Sequence, residues 1–318
     1  MVKQATTSPP IFIASTNAEE YAKLLRSKLG NAIAVNLAGS EADVQQRYSG
    51  EPVVLGRPDF LIKLLQKQPP VKWVQSTWAG VNLLVDLDFQ DYQLTGVKGV
   101  FGPQMVEFVL AYMLAHEVKI RQRYEQQQKR CWDTTLSGTL SDKVVGLMGT
   151  GSIGCHVAST LEQFGLIPIG FNTTGATVQP FRQIFTIDSI NEFLQQCDYL
   201  VCVLPDAPAT TNLLNADTLA HLQSSALLIN VGRGNLIDES ALSSRLRNGY
   251  LAGAVLDVFR QEPLSADSPL WDVPNLLVTG HIAAVSQPPA IAQLFIQNYR
   301  LFRKNEPLHN LVDFNKGY

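Results

Sequence analysis

Two rhythms of hydrophobic and polar positions run along the chain. A short apolar run, IFIAS (11–15), is followed by EEYAKLLRSKL (19–29), whose apolar residues recur at helical spacing, and then by a second apolar run, NAIAVNLAG (31–39). EPVVLG predicts a strand at about 52–56, and PDFLIKLLQKQP a helix that stops before the prolines. VKWVQST (71–77) predicts a further strand, which leads into the turn WAGV (78–81), and YQLTGV (92–97) a closing strand. Strands that alternate with helices of this length imply parallel βα units.

Pro103 opens a long apolar-periodic segment, MVEFVLAYMLAHEVKIRQRYEQQQKR. Proline suits the first helical turn, where its missing N–H is not needed. The spacing predicts one long helix that grows charged after His116, followed by Trp132 and the polar connector SGTLSDK (137–143). A second alternating series begins at Val144. It reads as strand 144–149, helix 152–164, strand 166–171, helix 189–197, strand 198–205, a weak helix 216–223 and strand 225–231. DESALSSRLRNG then predicts a helix started by Asp238 or Glu239 and ended by Gly249. Strands at 252–258 and 275–280 follow, and a last helix from Gln287 to Lys304 that packs away from this sheet. The fold class is α/β, with no internal repeat and no low-complexity tract.

Composition narrows the function. The 318 residues suit two domains, and 46% hydrophobic with 17% charged residues excludes a mostly disordered chain. Lys and Arg number 25 against 28 Asp and Glu, so there is no basic surplus of the kind a nucleic-acid binder carries. The cysteines at 131, 155, 197 and 202 show no C-x-x-C spacing and read as free thiols in a reducing compartment. No apolar stretch approaches the length of a membrane span, and MVKQATTSPP leads into only a short apolar run, so the expectation is a cytoplasmic protein without membrane or nucleic-acid partners. No metal is expected.

The sharpest motif is Gly149-Thr150-Gly151-Ser152-Ile153-Gly154, directly after the strand VVGLM and at the start of a helix. Gly149 allows the tight turn, Gly151 lets the backbone approach a pyrophosphate, and Gly154 permits close helix–strand packing. The N–H groups of the helix start, at Ser152 and Ile153, face the anion. The bland alternative is a glycine-rich structural turn. An NAD site calls for an acid about 20 residues on, but Asn172-Thr173-Thr174 stand there without a carboxylate. Neutral residues tolerate the 2′-phosphate of NADP, although no Arg or Lys at 172–176 binds it, so the expected cofactor is NADP or NAD with a slight lean to NADP.

Catalytic candidates sit where later strands end. Arg233, in Val231-Gly232-Arg233-Gly234, can aim a planar fork at a carboxylate or 2-keto acid; otherwise it caps its loop. Glu262 and His281 can form a carboxylate–imidazole pair that donates a proton to a carbonyl as hydride arrives at carbon, or be a solvated glutamate and a core histidine. Asp257 can accept from a nicotinamide carboxamide or cap the next turn. In Ser76-Thr77-Trp78-Ala79-Gly80-Val81, the Ala79 and Gly80 amides can nest a substrate carboxylate while Trp78 walls the pocket, or form an ordinary turn around a core tryptophan.

The chain resembles the D-isomer-specific 2-hydroxyacid dehydrogenase family, and within it the glyoxylate/hydroxypyruvate reductase branch. The pieces that carry the likeness are GTGSIG (149–154), LPDAPATTNLLN (204–215), NVGRGNLIDESAL (230–242), AGAVLDVFRQEP (252–263), HIAA (281–284), STWAGV, FGPQMVEFVLAYML and PLHNLVDFNKGY. The resemblance implies a Rossmann-type cofactor domain, about 99–285, inserted into a flavodoxin-like substrate domain of 1–98 plus 286–318. It implies Arg233 as substrate clamp, Glu262 as histidine orienter, His281 as acid/base and Asp257 at the carboxamide. Leu204 and Pro205 would border the adenine–ribose side, and Val231 and Gly232 the nicotinamide side. It further implies a homodimer through the cofactor domains, with the long helix and the Trp132 region as interface pieces. Two departures stand out: Asn172 replaces the family's usual Asp, and Gly280 the usual Pro before the histidine. The function expected is NAD(P)H-dependent reduction of a small 2-keto acid to the 2-hydroxy acid. The alternatives are an NAD-dependent dehydrogenase of a bulkier D-2-hydroxy acid, of phosphoglycerate or lactate type, and a catalytically silent nucleotide sensor.

Overall fold

Four-residue segments rich in Ile, Val and Leu are buried on both faces at Ile11–Ala14, Val53–Gly56, Tyr199–Cys202 and Leu227–Asn230. Strands without a polar face belong in parallel sheets covered on both sides by helices, and both sheets of the computed structural model, which describes residues 8–315, are parallel throughout. The described residues up to Val100 and from Ser286 onward form one unit, and Phe101–Val285 form the other.

The first unit holds strands β1 (Ile11–Ala14), β2 (Val35–Ala38), β3 (Val53–Gly56), β4 (Trp73–Ser76) and β5 (Gln93–Thr95), in the order β2-β1-β3-β4-β5. Helices α1 (Ala18–Leu29), α2 (Glu41–Arg47), α3 (Pro58–Leu65) and α4 (Asn82–Val85) connect them. Two of these, α2 and α4, have no counterpart in the sequence pattern, because seven and four residues are too few for a 3.6-residue period to show. A helix from the end of the chain, Pro288–Phe302, returns to this unit, where Phe295 stacks on Trp73 at 4.9 Å. The indole Nε1 of Trp73 donates to Thr95 Oγ1 at 2.8 Å, so this buried side chain leaves no unmet donor.

The second unit begins with α5 (Gly102–Glu117) and α6 (Ile120–Gln128). One long helix was expected over this segment; the backbone instead breaks at Lys119, which takes φ 54°. Glu117 explains the break. Its carbonyl accepts the Gly138 N–H at 2.9 Å and its carboxylate is buried against Lys143 and Tyr199, so tertiary partners end the helix where periodicity alone would continue it. The sheet comprises β6 (Val144–Met148), β7 (Ile167–Phe171), β8 (Ile184–Phe185), β9 (Tyr199–Cys202), β10 (Leu227–Asn230), β11 (Gly253–Leu256) and β12 (Leu276–Val278), in the order β12-β11-β10-β9-β6-β7-β8. Its helices are α7 (Ser152–Gln163), α8 (Ile190–Gln196), α9 (Ala216–Leu219) and α10 (Glu239–Arg247). Asp238 caps α10 by accepting from the Ala241 N–H, and Gly249 follows its end at φ 71°. The strand order reverses beside β6, the place where an open α/β sheet leaves a crevice at its carboxyl edge. No helix among the described residues is long and apolar enough to cross a membrane.

Candidate active site

Each site residue singled out from the sequence lies beyond the carboxyl end of a strand of its own unit. In the second unit, β6 turns at Gly149, whose φ of 114° favours glycine. A Cβ on Gly154 would stand 1.9 Å from the Gly149 carbonyl oxygen, so only glycine lets α7 start this close to the strand. A Cβ on Gly151 would meet nothing within 4 Å, which means the backbone there borders open space. Ser152, Ile153 and Gly154 present N–H groups that donate to no acceptor among the described residues. Free N–H groups at the positive end of a helix, with room in front of them, fit a dinucleotide pyrophosphate.

Asn172 follows β7 and turns back on its own loop. Its Oδ1 accepts the N–H groups of Thr174 (3.1 Å) and Gly175 (2.8 Å), and its Nδ2 donates to Thr150 Oγ1 (3.1 Å) inside the glycine turn. The side chain therefore braces the two loops against each other, while Thr173 and Thr174 are exposed. Beyond β9 and β10, the loops of Leu204-Pro205 and Val231-Gly232 touch: a Cβ on Gly232 would lie 2.8 Å from the Leu204 carbonyl oxygen.

The Arg233 turn is shaped by buried Asn230, which accepts the Gly232 N–H at 3.1 Å and donates to the Arg233 carbonyl at 3.0 Å. Nη1 of Arg233 donates to the Gly232 carbonyl at 2.7 Å. Burial draws the guanidinium below the usual arginine value, and the carboxylates of Asp206 and Glu262 oppose that. Glu262 also serves His281: its Oε2 is 2.7 Å from His281 Nδ1, and its Oε1 accepts the Phe259 N–H at 2.9 Å. The imidazole is half exposed, as a group that must reach a ligand has to be.

His281 itself, rather than Gly280 before it, takes the left-handed backbone, with φ 57°. Asp257 imposes it. The Asp257 carbonyl accepts the His281 N–H (2.8 Å), and its buried carboxylate accepts from Thr279 Oγ1 (2.6 Å) and from the N–H groups of Ile282 and Ala283 (2.9 Å each). The sequence offered Asp257 as a cap for the next turn; its partners lie instead in the loop 279–283, beyond another strand.

In the first unit, Ser76 Oγ accepts the Trp78 N–H at 3.0 Å and donates to the Trp78 carbonyl at 2.9 Å, which folds the turn after β4. The N–H groups of Ala79 and Gly80 then donate to nothing among the described residues. Thr77 Oγ1 is buried and has no partner among the described residues. Arg57, beyond β3, lies with its guanidinium 5.1 Å from the centre of the Trp78 ring. Sequence reasoning passed over Arg57, Asp206 and Asn230. Their only signal is a polar residue at or just past the end of an apolar run, and helix starts and turns share that signal.

Residues 110–283 match the family described as D-isomer specific 2-hydroxyacid dehydrogenase, NAD binding domain. Glyoxylate/hydroxypyruvate reductase A of Photorhabdus laumondii subsp. laumondii is 34% identical over 218 residues, 68% of this chain and 69% of that protein. Among solved structures, a D-isomer specific 2-hydroxyacid dehydrogenase family protein from Aeromonas salmonicida subsp. salmonicida A449 is similar with a TM-score of 0.91 at 38% identity, over 96% of this chain and 99% of that one. An NADPH-dependent glyoxylate/hydroxypyruvate reductase from Sinorhizobium meliloti, in complex with NADP and sulfate, gives a TM-score of 0.86 at 28% identity, over 98% and 100% of the two chains.

Proposed function

Because this chain belongs to the D-isomer specific 2-hydroxyacid dehydrogenase family, we propose that it reduces a small 2-keto acid of the glyoxylate or hydroxypyruvate type to the 2-hydroxy acid, with His281 as the proton donor. The chain is an oxidoreductase of the NAD(P)-dependent 2-hydroxyacid dehydrogenase class. The single observation that carries the finer reading is the His281–Glu262 contact of 2.7 Å, with the half-buried Arg233 guanidinium within the field of the same Glu262 carboxylate.

Glu262 takes the Nδ1 side of the imidazole and so sets the tautomer and the ring direction. Nε2 is left to carry the proton that passes to the carbonyl oxygen as negative charge develops there. Arg233 offers its remaining N–H groups to the substrate carboxylate and polarises the carbonyl. The free amides of Ala79 and Gly80 take a carboxylate oxygen, with Trp78 as an apolar wall. Gly149, Gly151, Ser152, Ile153 and Gly154 would hold the dinucleotide phosphates. Asn172, Thr173 and Thr174 would hold the adenosine ribose, Leu204 and Pro205 its adenine side, and Val231, Gly232 and Asp257 the nicotinamide side. Bound there, the reduced nicotinamide supplies hydride to the carbonyl carbon. The loop at 172–174 carries no charge. The carboxylate that would exclude a 2′-phosphate is missing there and no cation pairs with one, which supports use of both cofactors with a slight lean to NADPH. We further propose a homodimer, supported by the apolar residues that the second unit leaves in solvent: Trp132 is 92% exposed and Leu136 85%.

The test is turnover. Purified protein is mixed with glyoxylate, hydroxypyruvate or pyruvate and with NADPH or NADH, and the loss of nicotinamide absorbance is followed. Reduction of glyoxylate or hydroxypyruvate is expected, and silence with all three acids overturns the reading. His281→Ala lowers kcat by about 10²-fold or more, the usual worth of a general acid, with cofactor affinity nearly unchanged.

A further inference from the structure

We propose that Arg57 reads the group on carbon 3 of the substrate, so that the enzyme favours a 2-keto acid with a hydroxyl there over one with only hydrogen. The proposal rests on the carboxylate placement at Ala79 and Gly80 given above, and adds to it a residue and a substrate preference.

Strands β3 and β4 pair with Gly56 opposite Ser76, and the Thr77 N–H donates to the Gly56 carbonyl at 2.9 Å. Arg57 and the Thr77-Trp78 pair are therefore neighbours at the carboxyl end of the first unit's sheet, where open α/β sheets bind ligands. The guanidinium is fixed on several sides. Its carbon lies 4.7 Å from the Phe60 ring centre and 5.1 Å from that of Trp78, and Nε and Nη2 donate to the two oxygens of Asp59 at 3.0 and 2.6 Å. Nη1 donates to nothing among the described residues. A cation so firmly oriented yet with one amino group unused is a pre-set donor, since little rotamer freedom remains to be lost on binding.

Thr77 follows β4 as Arg57 follows β3, and its buried Oγ1 has no hydrogen-bond partner among the described residues, a polar atom left unmet at this sheet edge. Trp78 links the two halves of the site. Its backbone leads into the Ala79–Gly80 amides, and its ring covers the Arg57 guanidinium. That sets the Arg57 donor one side chain away from the carboxylate position.

The charge of the site selects the ligand. Asp59 neutralises Arg57, so a neutral oxygen is served by the Nη1 donor without any counter-charge, whereas a second carboxylate or a phosphate would meet Asp59 as well. The chemistry fits a hydroxyl on carbon 3, as in hydroxypyruvate. Pyruvate offers a methyl group there, and glyoxylate has no carbon 3.

The experiment compares kcat/KM for hydroxypyruvate, pyruvate and glyoxylate in the unmodified enzyme, Arg57→Leu and Arg57→Lys, each as the full-length chain with saturating NADPH. The unmodified enzyme should prefer hydroxypyruvate to pyruvate at least tenfold. Arg57→Leu should cut that ratio about tenfold or more, which is the worth of one charge-assisted hydrogen bond to a substrate hydroxyl. Arg57→Lys keeps a donor and should retain part of the preference. The ratio is internal to each variant, so a smaller folded fraction cancels. Equal losses on hydroxypyruvate and pyruvate, or an unchanged ratio, overturn the role of Arg57 while leaving the reaction intact. Absence of turnover with all three acids in the unmodified enzyme removes the reaction itself, and this subsite with it.

Discussion

His281 holds a backbone conformation that L residues adopt only under constraint, and Asp257 supplies the constraint through four hydrogen bonds to residues 279–283. Glu262 then fixes the direction of the ring. Backbone and side chain are thus set by different carboxylates, one buried and one half exposed. Glycine 154 shows the same dependence on a single contact. A methyl group there would lie against the Gly149 carbonyl oxygen, so Gly154→Ala should destabilise the protein by about 2 kcal/mol, the usual range for an overpacked site. It should also weaken binding of reduced dinucleotide more than tenfold. Thermal unfolding and a nicotinamide-fluorescence titration measure the two effects, and a variant that binds normally would detach the glycine turn from the cofactor.

The end of α5 is decided by a charged cluster. Glu117 is buried, Lys143 Nζ reaches its Oε1 at 2.5 Å, and the Tyr199 hydroxyl donates to the same oxygen. Burial by itself would raise the Glu117 carboxyl, but the hydrogen bonds from Lys143 and Tyr199 outweigh it and hold the group below the usual carboxylate value. Burial, helped by the bond to Glu117, pushes the Tyr199 hydroxyl far up, so it stays a donor at any ordinary pH. A carboxyl whose folded value is depressed contributes stability that is fully present above its unfolded value, about 4.3, and that is lost as pH falls through the folded value. Glu117→Gln should therefore cost about 2 kcal/mol at pH 7, as hydrogen bonds to a charged group do, and the gap to the unmodified protein should close as pH falls below the unfolded carboxyl value and through the lower folded one. Urea unfolding across that range measures it; a gap independent of pH would show that Glu117 acts by shape and not by charge. The same cluster explains why the pattern from Pro103 onward misleads. The period continues past Glu117, and the interruption comes from residues 21 to 82 positions away.

For the molecule as a whole, two parallel sheets provide two carboxyl edges, and the residues proposed to act are distributed over both. Arg233, Glu262, His281 and the glycine turn belong to the second unit, Arg57 and residues 76–80 to the first. Outside these edges, Ile120, Tyr124, Trp132 and Leu136 form one stretch of exposed large hydrophobic residues, with Trp132 and Leu136 the most exposed of their kind among the described residues. A second copy of the chain would cover them. Light scattering coupled to gel filtration should give twice the 35.0 kDa chain mass, and Trp132→Glu with Leu136→Glu should return it to the single-chain mass. A monomer at micromolar concentration in the unmodified protein would leave these residues without that role.

The parallel α/β class, the strand order of events along the chain, the glycine turn and the Arg233, Glu262 and His281 candidates were legible in the amino-acid sequence. Each depends on neighbours in the chain: an apolar run has a period, a turn needs glycine at set positions, and a family likeness is carried by ordered motifs. The short helices α2 and α4, the break at Lys119, the anchoring of His281 by Asp257 and the placing of Arg57 beside Trp78 were not. These depend on which residue meets which across separate strands and loops, and burial and hydrogen bonding decide that only once the chain has folded.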